Sequence, residues 1–329
     1  MQIQENKYPI EWQLNARYSF DSIIGQSVLL QQAVQLAKTV AFTDDAVLLL
    51  GEKGTGKKLF AQAIHNNSKQ LGKPFLQLNC FEHSKEIIES GIFENKTASF
   101  NTLIKDKKEI SEEIENGTLL LNEIGRMPMQ LQFKLLELLA DNENKTNKKD
   151  ALQPYKKIRI IAATDSSLTN DVAEGKFNEE LFKMLSKVTI ALPTLNERKE
   201  DILLLVQEFM WLFSAKMNKK VLYIQDECMH CFENYHWKGN VRELKNIIER
   251  AIILAEGNEI QLQHLPIEVQ IDNTEYANNS SVYNIVAMER WHIQRVLHYA
   301  KGNKAETAKL LNIGLSTLYR KIEEYHLQY

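Results

Sequence analysis

The residues best suited to bind phosphate are concentrated between positions 51 and 58. This stretch reads GEKGTGKK; it follows the apolar run 46–50 and precedes a helical pattern through Leu59, Ala61 and Ile64. Glycines let backbone N–H groups turn toward phosphate oxygens, and the N-terminus of the next helix adds partial positive charge. A strand, a glycine-rich turn and a helix in this order predict a phosphate-binding loop rather than an ordinary glycine turn.

Two lysines end the loop and indicate what it binds. Lys57 is expected to reach the outer phosphates of ATP or ADP as a positive charge. The following position usually supplies a hydroxyl to Mg²⁺, and here it is Lys58, so binding of Mg²⁺ is predicted to be weakened. The predicted nucleotide-binding residues of the loop are Gly51, Glu52, Lys53, Gly54, Thr55, Gly56, Lys57, Lys58 and Leu59.

Composition sets the class of protein. The chain has 329 residues, of which 44% are hydrophobic and 25% charged, with a net charge of −3, so no global nucleic-acid coat is expected, although a single basic module is allowed. No apolar run approaches the ~20 residues of a membrane span. The N-terminus lacks the apolar core of a signal peptide, and the first twenty residues are too few for a sensory domain. These features, with three cysteines, predict a cytoplasmic protein.

One pair of cysteines has the spacing of metal ligands. Cys228 and Cys231 form a CxxC within a helical pattern that includes Phe232 and Tyr235. No second ligand pair follows at finger spacing, so a buried helix face is the preferred interpretation over zinc, and no metal site is predicted.

Apolar runs and helical patterns alternate through the first half of the chain and predict its architecture. Strands are expected within 46–50, 75–80, 117–124, 158–165 and 188–192, and helices over 28–41 and 129–140, with a solvated loop at 141–150. This alternation predicts a three-layer α/β domain with a parallel sheet. From residue 198 to about 265 the pattern is helical throughout, which predicts a small all-α lid.

A polar segment separates the lid from a helical tail. Residues 272–281 lack periodicity and are predicted to be a linker. Helices are expected over 282–299, 304–311 and 316–325, and the short turn at 312–314 suits a helix-turn-helix. The predicted divisions are an N-terminal extension at 1–20, the α/β domain at 21–197, the lid at 198–268, the linker at 269–281 and the helix-turn-helix domain at 282–329.

Several motifs give the chain a resemblance to a known family. They are GEKGTGKK at 51–58, GTLLLNEIGRMP at 117–128, RIIAATD at 159–165, LPTLNERKEDI at 192–202, WKGNVRELKN at 237–246 and GNKAETAKLLNIGLSTLYRKI at 302–322. From about Ile23 to its end, the chain resembles the sigma-54-dependent bacterial enhancer-binding activators. The resemblance implies an AAA+ P-loop domain with a helical lid and a C-terminal Fis-type helix-turn-helix. The family hydrolyses ATP in a ring to remodel sigma-54 polymerase.

The residues that the resemblance assigns to hydrolysis are only partly kept. The water-orienting Glu and its Asn partner match Glu123 and Asn79, while the metal-associated Asp falls on Asn122 and the sensor Asn on Asp165. The lid arginine that touches the nucleotide in this family matches Arg242, which could instead pair with a neighbouring glutamate. Glu123, likewise, could be a solvated carboxylate at a strand end.

Two further parts of the family pattern are replaced. The arginines that act from the neighbouring subunit fall on Asn178 and Met184 in FNEELFKML. The GAFTGA loop, which contacts the sigma factor, aligns with residues 98–103, where only Phe100 is kept. Both the residues assigned to ATP hydrolysis and the segment assigned to contact with the sigma factor therefore depart from the family pattern.

The tail carries the candidate DNA-binding residues. Ser316 is predicted to be the N-cap of the last helix, which would place Thr317, Tyr319, Arg320 and Lys321 on the turns that enter the major groove. Arg320 could read guanine, whereas Lys304, Lys309 and Lys321 are expected to contact phosphates. A trihelical bundle used for oligomerisation is the alternative.

The helix at 282–299 suggests how the DNA-binding tails could pair. It offers an apolar face, made of Ile285, Val286, Ile293, Val296 and Leu297, for pairing with a second copy.

These features predict a bacterial transcriptional regulator that binds double-stranded DNA, with RNA polymerase as a possible partner and at least a dimer as its assembly. Its AAA+ domain is expected to bind ATP or ADP and to hydrolyse ATP poorly or not at all. An active sigma-54 ATPase with a variant site and a nucleotide-independent scaffold remain as alternatives.

Overall fold

The computed structural model describes residues 11–13, 16–80, 117–146, 158–165, 168–270 and 289–327, the last range without 291, 295, 298, 299, 301 and 326. The segment 98–103, which aligns with the family's GAFTGA loop, and positions 271–281 of the predicted linker lie outside these residues. The first two linker positions, 269 and 270, belong instead to a short helix, Ile267–Gln270, so the linker was predicted to start too early. One compact unit comprises the described residues up to Leu212 together with Trp237–Glu249, and a second comprises Phe213–His236 together with those from Arg250 onward. No helix in the described part of the chain is long and apolar enough to cross a membrane.

A six-stranded sheet forms the centre of the first unit. Five strands run parallel in the order β3-β4-β5-β2-β6, and the short β1 pairs antiparallel with β3 at one edge. The parallel sheet predicted from the alternating pattern is confirmed. The strands are β1 Glu11–Gln13, β2 Val47–Leu50, β3 Phe75–Asn79, β4 Thr118–Asn122, β5 Arg159–Thr164 and β6 Val188–Ala191.

Helices cover both faces of this sheet. Val47 and Leu49 face a core that contains residues of α1 and α2, while Leu48 faces a second core built with α3 and α5. Strands that bury both faces read as continuous apolar runs, which is why the sequence located them. The helices of the unit are α1 Val28–Ala41, α2 Lys57–Asn66, α3 Met129–Thr146, α4 Leu168–Ala173, α5 Glu179–Leu185 and the first parts of two longer helices, Ile202–Met217 (α6) and Asn240–Leu254.

The predicted end of α3 was wrong. The helix continues to Thr146, whereas a solvated loop was expected from position 141. Residues 141–146 contain neither glycine nor proline, so their polarity favours solvent without interrupting the helix. The rest of the expected loop, 147–150, lies outside the described residues.

The lid segment is mainly helical, but the prediction that it is entirely helical was wrong. Its elements include two strands of two residues, which pair in parallel as Tyr223 with Glu259 and Ile224 with Ile260. Strands this short show no alternation in the sequence and are hidden between helical patterns. After α6, the elements are β7 Tyr223–Ile224, α7 Asp226–Asn234, α8 Asn240–Leu254, β8 Glu259–Ile260 and α9 Ile267–Gln270.

The C-terminal module has its own small core. Helix α10, Lys304–Leu310, packs against α11, Leu315–Glu324, and a preceding helical stretch contributes Ile293 and Leu297. Between the two helices Asn312 adopts a left-handed conformation with φ of 54°, and Ile313 N–H donates to the Ala308 carbonyl at 3.0 Å. This arrangement ends α10 in a Schellman motif and makes the sharp turn that a helix-turn-helix needs.

The predicted start of the last helix was wrong by two residues. Gly314, with φ of −66° and ψ of 145°, is the N-cap, and Ser316 is the second residue of the helix. Glycine is an acceptable N-cap, so the serine two residues after the turn was a misleading signal. Ala305, expected in the core, is exposed, whereas Ala308 and Leu318 are buried as expected.

Candidate functional site

The loop between β2 and α2 has the shape expected for phosphate binding. Gly54 and Gly56 both have positive φ, 84° and 111°, which glycine adopts without strain. Gly51 N–H donates to the Thr164 carbonyl at 3.2 Å, which ties the start of the loop to the end of β5. The loop ends at Gly56, the N-cap of α2, so the free N–H groups of that helix open toward the loop.

Lys57 lies in the mouth of this loop. Its ammonium group donates to the carbonyl oxygen of Gly51 and, at 3.1 Å, to that of Glu52. Burial lowers the pKa of Lys57; the carboxylates of Glu123 and Asp165 oppose this shift, and Arg242 and Lys53 add to it. The charged residues predicted around the phosphates are therefore brought together around one ammonium group.

The carboxyl ends of β3, β4 and β5 carry the polar residues that the sequence assigned to catalysis. Asn79 and Asn122 are register partners on β3 and β4, and Cys80 N–H donates to the Asn122 carbonyl at 2.9 Å. Asp165 directly follows β5, the strand between β4 and the loop strand β2. Its carboxylate lies 3.8 Å from the Lys53 ammonium group.

Glu123 adopts an unusual backbone conformation at this edge. Its φ of 54° and ψ of 46° place it in the left-handed region, where residues other than glycine are uncommon. The residue directly follows β4 and begins a 3-10 turn at Ile124. A strained residue beside a phosphate loop is a feature of functional sites.

The structure adds a residue that the sequence analysis did not assign to the site. The buried Asn240, at the start of α8, donates from its amide nitrogen to Glu52 Oε2 at 3.0 Å and to the Lys53 carbonyl at 3.1 Å. Its amide oxygen accepts from Leu195 N–H at 2.7 Å. Its position in WKGN, two residues before Arg242, is the only signal that could have indicated it.

Arg198 supports the loop from another side. Its side chain is buried and donates to the Thr55 carbonyl at 3.3 Å, and burial lowers its pKa. Arg242 is exposed, and its charge acts on Lys57. Lys58 and Leu59 are half-buried in the first turn of α2.

The two positions that match the family's inter-subunit arginines have structural roles here. Asn178 is the N-cap of α5, and its side-chain oxygen accepts from Leu181 N–H at 2.8 Å. Met184 packs against the core on one face of the sheet. Neither side chain carries the positive charge that an arginine would present.

The candidate DNA-binding residues lie on α10 and α11. Ser316, Tyr319 and Arg320 are exposed, and Thr317 is half-buried. The Lys304 ammonium group lies 5.2 Å from the centre of the Tyr319 ring, a cation–π contact that links the two helices. Arg320 pairs with Glu324 at 3.1 Å on the same helix.

Lys321 differs from the other basic residues of α11. Its ammonium group lies 2.6 Å from Glu289 Oε2 and 2.8 Å from the Tyr325 hydroxyl. Hydrogen bonding to Glu289 raises the pKa of Lys321. The side chain thus fastens α11 within the module, and its assignment to a DNA phosphate stays a prediction.

The apolar face proposed for pairing is partly used within the module. Ile293 and Leu297 are buried in the trihelical core, so they cannot also face a second copy. Val296 is half-buried, and Ile285 and Val286 lie outside the described residues.

A parallel sheet with a phosphate loop after β2, the strand between β5 and β6, followed by a helical segment and a helix-turn-helix, defines a P-loop regulator of the AAA+ class. The sigma-54 interaction domain family matches residues 23–191, the AAA+ ATPase lid domain 196–281 and the Fis family of bacterial regulatory proteins 285–325. The chain belongs to the family of sigma-54-type AAA+ transcriptional regulators with a Fis-type helix-turn-helix, as the motifs predicted.

Relatives with this organisation are regulatory proteins. The regulatory protein AtoC of Escherichia coli is 33% identical over 326 residues, covering 95% of this chain and 69% of AtoC. The nitrogen fixation protein VnfA of Azotobacter vinelandii is 35% identical, covering 96% of this chain and 61% of VnfA. Among solved structures, NtrX of Brucella abortus in complex with ATP has a TM-score of 0.64 and 28% identity, covering 95% of this chain and 70% of NtrX.

Proposed function

We propose that this protein is a cytoplasmic DNA-binding transcriptional regulator whose AAA+ domain binds ATP or ADP but hydrolyses ATP poorly or not at all. One observation carries the proposal: the phosphate loop keeps its glycines and Lys57, while Asn178 and Met184 occupy the arginine positions as a helix cap and a half-buried side chain packed against the core. The nucleotide then acts as a structural ligand or switch.

The chemistry of phosphoryl transfer supports this assignment. Removing a transition-state arginine typically costs ~10³–10⁵ in rate, because the developing charge on the phosphoryl oxygens is left without a partner. Asn122 adds to this loss, since a neutral carboxamide holds Mg²⁺ less well than a carboxylate. Glu123 and Asn79 are kept, but orienting a water gives little turnover without charge stabilisation.

Nucleotide binding is supported from two directions. Lys57, the three loop glycines and Arg242 converge on one loop mouth. The similar NtrX structures were determined with ATP and with ADP. Partners of the proposed regulator are double-stranded DNA, RNA polymerase and further copies of the chain.

Two measurements test the proposal. Steady-state ATPase assays with and without DNA should give near-background rates; a rate of about 1 per second, within the ordinary range of enzymes, would establish the active-ATPase alternative instead. Titration with ATP and ADP should show saturable binding. Absence of binding at millimolar nucleotide would favour the nucleotide-independent scaffold.

The DNA-binding part is tested by footprinting with the full chain. A dimer of such modules reads two half-sites about one helical turn, ~34 Å, apart. Arg320→Ala should relax base preference at one position of each half-site by ~1–3 kcal/mol. Lys304→Ala should weaken all sequences alike and flatten the salt dependence. A protein that gives no footprint at low salt would contradict the assignment and leave the trihelical bundle as an oligomerisation module.

A further inference from the structure

Two residues that normally hold a divalent cation are replaced in the phosphate site. In P-loop ATPases the hydroxyl after the loop lysine and the acid at the end of the neighbouring strand hold Mg²⁺. Here these positions are Lys58, whose side chain offers no acceptor, and Asn122, which is neutral. The hydroxyl of Thr55 is buried and donates to the Glu52 carbonyl at 2.9 Å.

Positive side chains take the place of these donors. Lys53, from the middle of the loop, lies 3.8 Å from Asp165, and both groups act on the Lys57 ammonium. The Lys53 side chain is 69% exposed, so it can leave Asp165 for another anion at small cost. Asp165 is 27% exposed and lies directly after β5, the strand beside the loop strand β2.

We propose that this site binds nucleotide phosphates without a divalent cation, and that Lys53 exchanges Asp165 for a phosphate group when the nucleotide enters. Lys53 and Lys57 then neutralise phosphate charge that Mg²⁺ neutralises in active P-loop ATPases. This inference rests on the proposed nucleotide binding and concerns only its metal requirement. The donor set does not suit Mg²⁺, and no catalytic step runs through the metal.

The first test is calorimetric titration of the full chain with ADP in EDTA and in excess Mg²⁺. The two dissociation constants should agree within about threefold. Binding that is at least about tenfold tighter with Mg²⁺ would overturn the metal-free site but leave the proposed function intact. Failure to bind ADP in either buffer would overturn both, so the two failures are distinguishable.

Asp165→Asn should change the affinity for ADP in opposite directions in a metal-free site and in a metal-bound site. In a metal-free site it should tighten ADP binding in EDTA by about two- to fivefold, because it removes a like charge and releases Lys53. In a metal-bound site it should weaken binding in Mg²⁺, because it removes a carboxylate ligand, and that result would overturn the inference. The thermal midpoint of each variant shows whether it is folded.

Lys53→Ala identifies the cation that replaces the metal, and the chain offers a closely matched control. Lys69 pairs with Asp44 at 3.7 Å and is 66% exposed, which is nearly the geometry of Lys53 with Asp165. Lys53→Ala should weaken ADP binding in EDTA by about three- to tenfold, while Lys69→Ala should leave it unchanged. Equal affinities of the two variants would overturn the role of Lys53.

Discussion

The phosphate loop keeps the residue types that bind phosphate in the family, whereas the strand ends beside it keep only some of the residue types that catalyse hydrolysis. The loop keeps its glycines and Lys57 in a conformation that opens toward a phosphate. At the strand ends, Asn122 is neutral while Glu123 and Asp165 are carboxylates. Away from the strand ends, Asn178 caps α5 at a position where the family has an arginine. On the proposed function, this difference separates nucleotide binding from catalysis within one site.

This separation has a physical basis. Binding of phosphate depends mainly on backbone N–H groups and one lysine, all supplied by a single contiguous loop. Hydrolysis depends on charges from several separate segments, each placed to act only in the transition state. On the proposed function, a few substitutions at the strand ends and on α5 therefore suffice to remove turnover, while the loop keeps its ligand.

The largest expected effect concerns the shape of the loop itself. A Cβ atom at Gly54 would lie 2.1 Å from the Gly239 carbonyl oxygen, whereas one at Gly56 would meet nothing within 4 Å. Gly54→Ala should cost about 3–5 kcal/mol of unfolding free energy, from the backbone clash together with positive φ. Gly56→Ala, the matched control, should cost about 1–2 kcal/mol from φ alone. Chemical denaturation measures both; equal losses would show that the backbone at Gly239 shifts to accept the side chain.

The next effect isolates binding. Lys57→Met keeps the apolar stem but removes the ammonium group in the loop mouth. It should weaken ADP binding about 100-fold, near ~3 kcal/mol, the upper end for hydrogen bonds to charged groups. Lys69→Met is the control and should bind like the wild type. If Lys57→Met retained full affinity, the nucleotide would bind elsewhere, and the comparison between loop and strand ends would fail.

A smaller effect concerns pH and the helix that follows the loop. His65 on α2 is buried, its Nδ1 lies 2.8 Å from the Thr118 hydroxyl on β4, and burial lowers its pKa to about 4. Between pH 6.5 and about 4 the unfolded chain therefore binds more protons than the folded one, so His65 makes stability fall as pH falls through this window. His65→Gln should flatten that part of the stability profile. An unchanged slope would assign the dependence to other groups.

The smallest effect, on ATP turnover, is expected from a change at the strand ends. This prediction tests the comparison between the loop and the strand ends most directly. Asn122→Asp restores the family's metal-associated acid, yet the positions of Asn178 and Met184 still lack arginines. ATP turnover should therefore change by less than about threefold, against the ~10³–10⁵ that a missing arginine costs. A steady-state assay decides this. Recovery of about 1 turnover per second would mean that one residue, rather than the whole catalytic edge, limits the rate.

The sequence predicted the fold well because its strands are continuous apolar runs with marked ends. It misplaced the end of α3 because polar composition indicates exposure, whereas the backbone needs a breaker to leave the helix. It missed β7 and β8 because two residues carry no period. The start of α11 was predicted wrongly because the turn at Asn312 leads directly to Gly314, which is the N-cap two residues before Ser316.

The candidate site was predictable to the extent that its residues are contiguous. The loop and the ends of β4 and β5 follow from local patterns, whereas Asn240 reaches the loop from 187 positions away along the chain. Lys321 illustrates the opposite error. A basic residue on the last helix suggests contact with DNA, and only the structure shows its bond to Glu289.

The close packing at Gly54 affects the order in which such a protein would lose the motif residues of its family. Because its hydrogen faces the Gly239 carbonyl, folding alone maintains this glycine, whatever happens to the ligand. Asn122, Asn178 and Met184 are under no comparable restraint toward their ancestral types, since the fold accommodates the present ones. A lineage that abandons turnover would therefore lose its acids and arginines first and its glycine signature last. Among such descendants, the glycine motif of the loop would still indicate family membership after ATP hydrolysis has been lost.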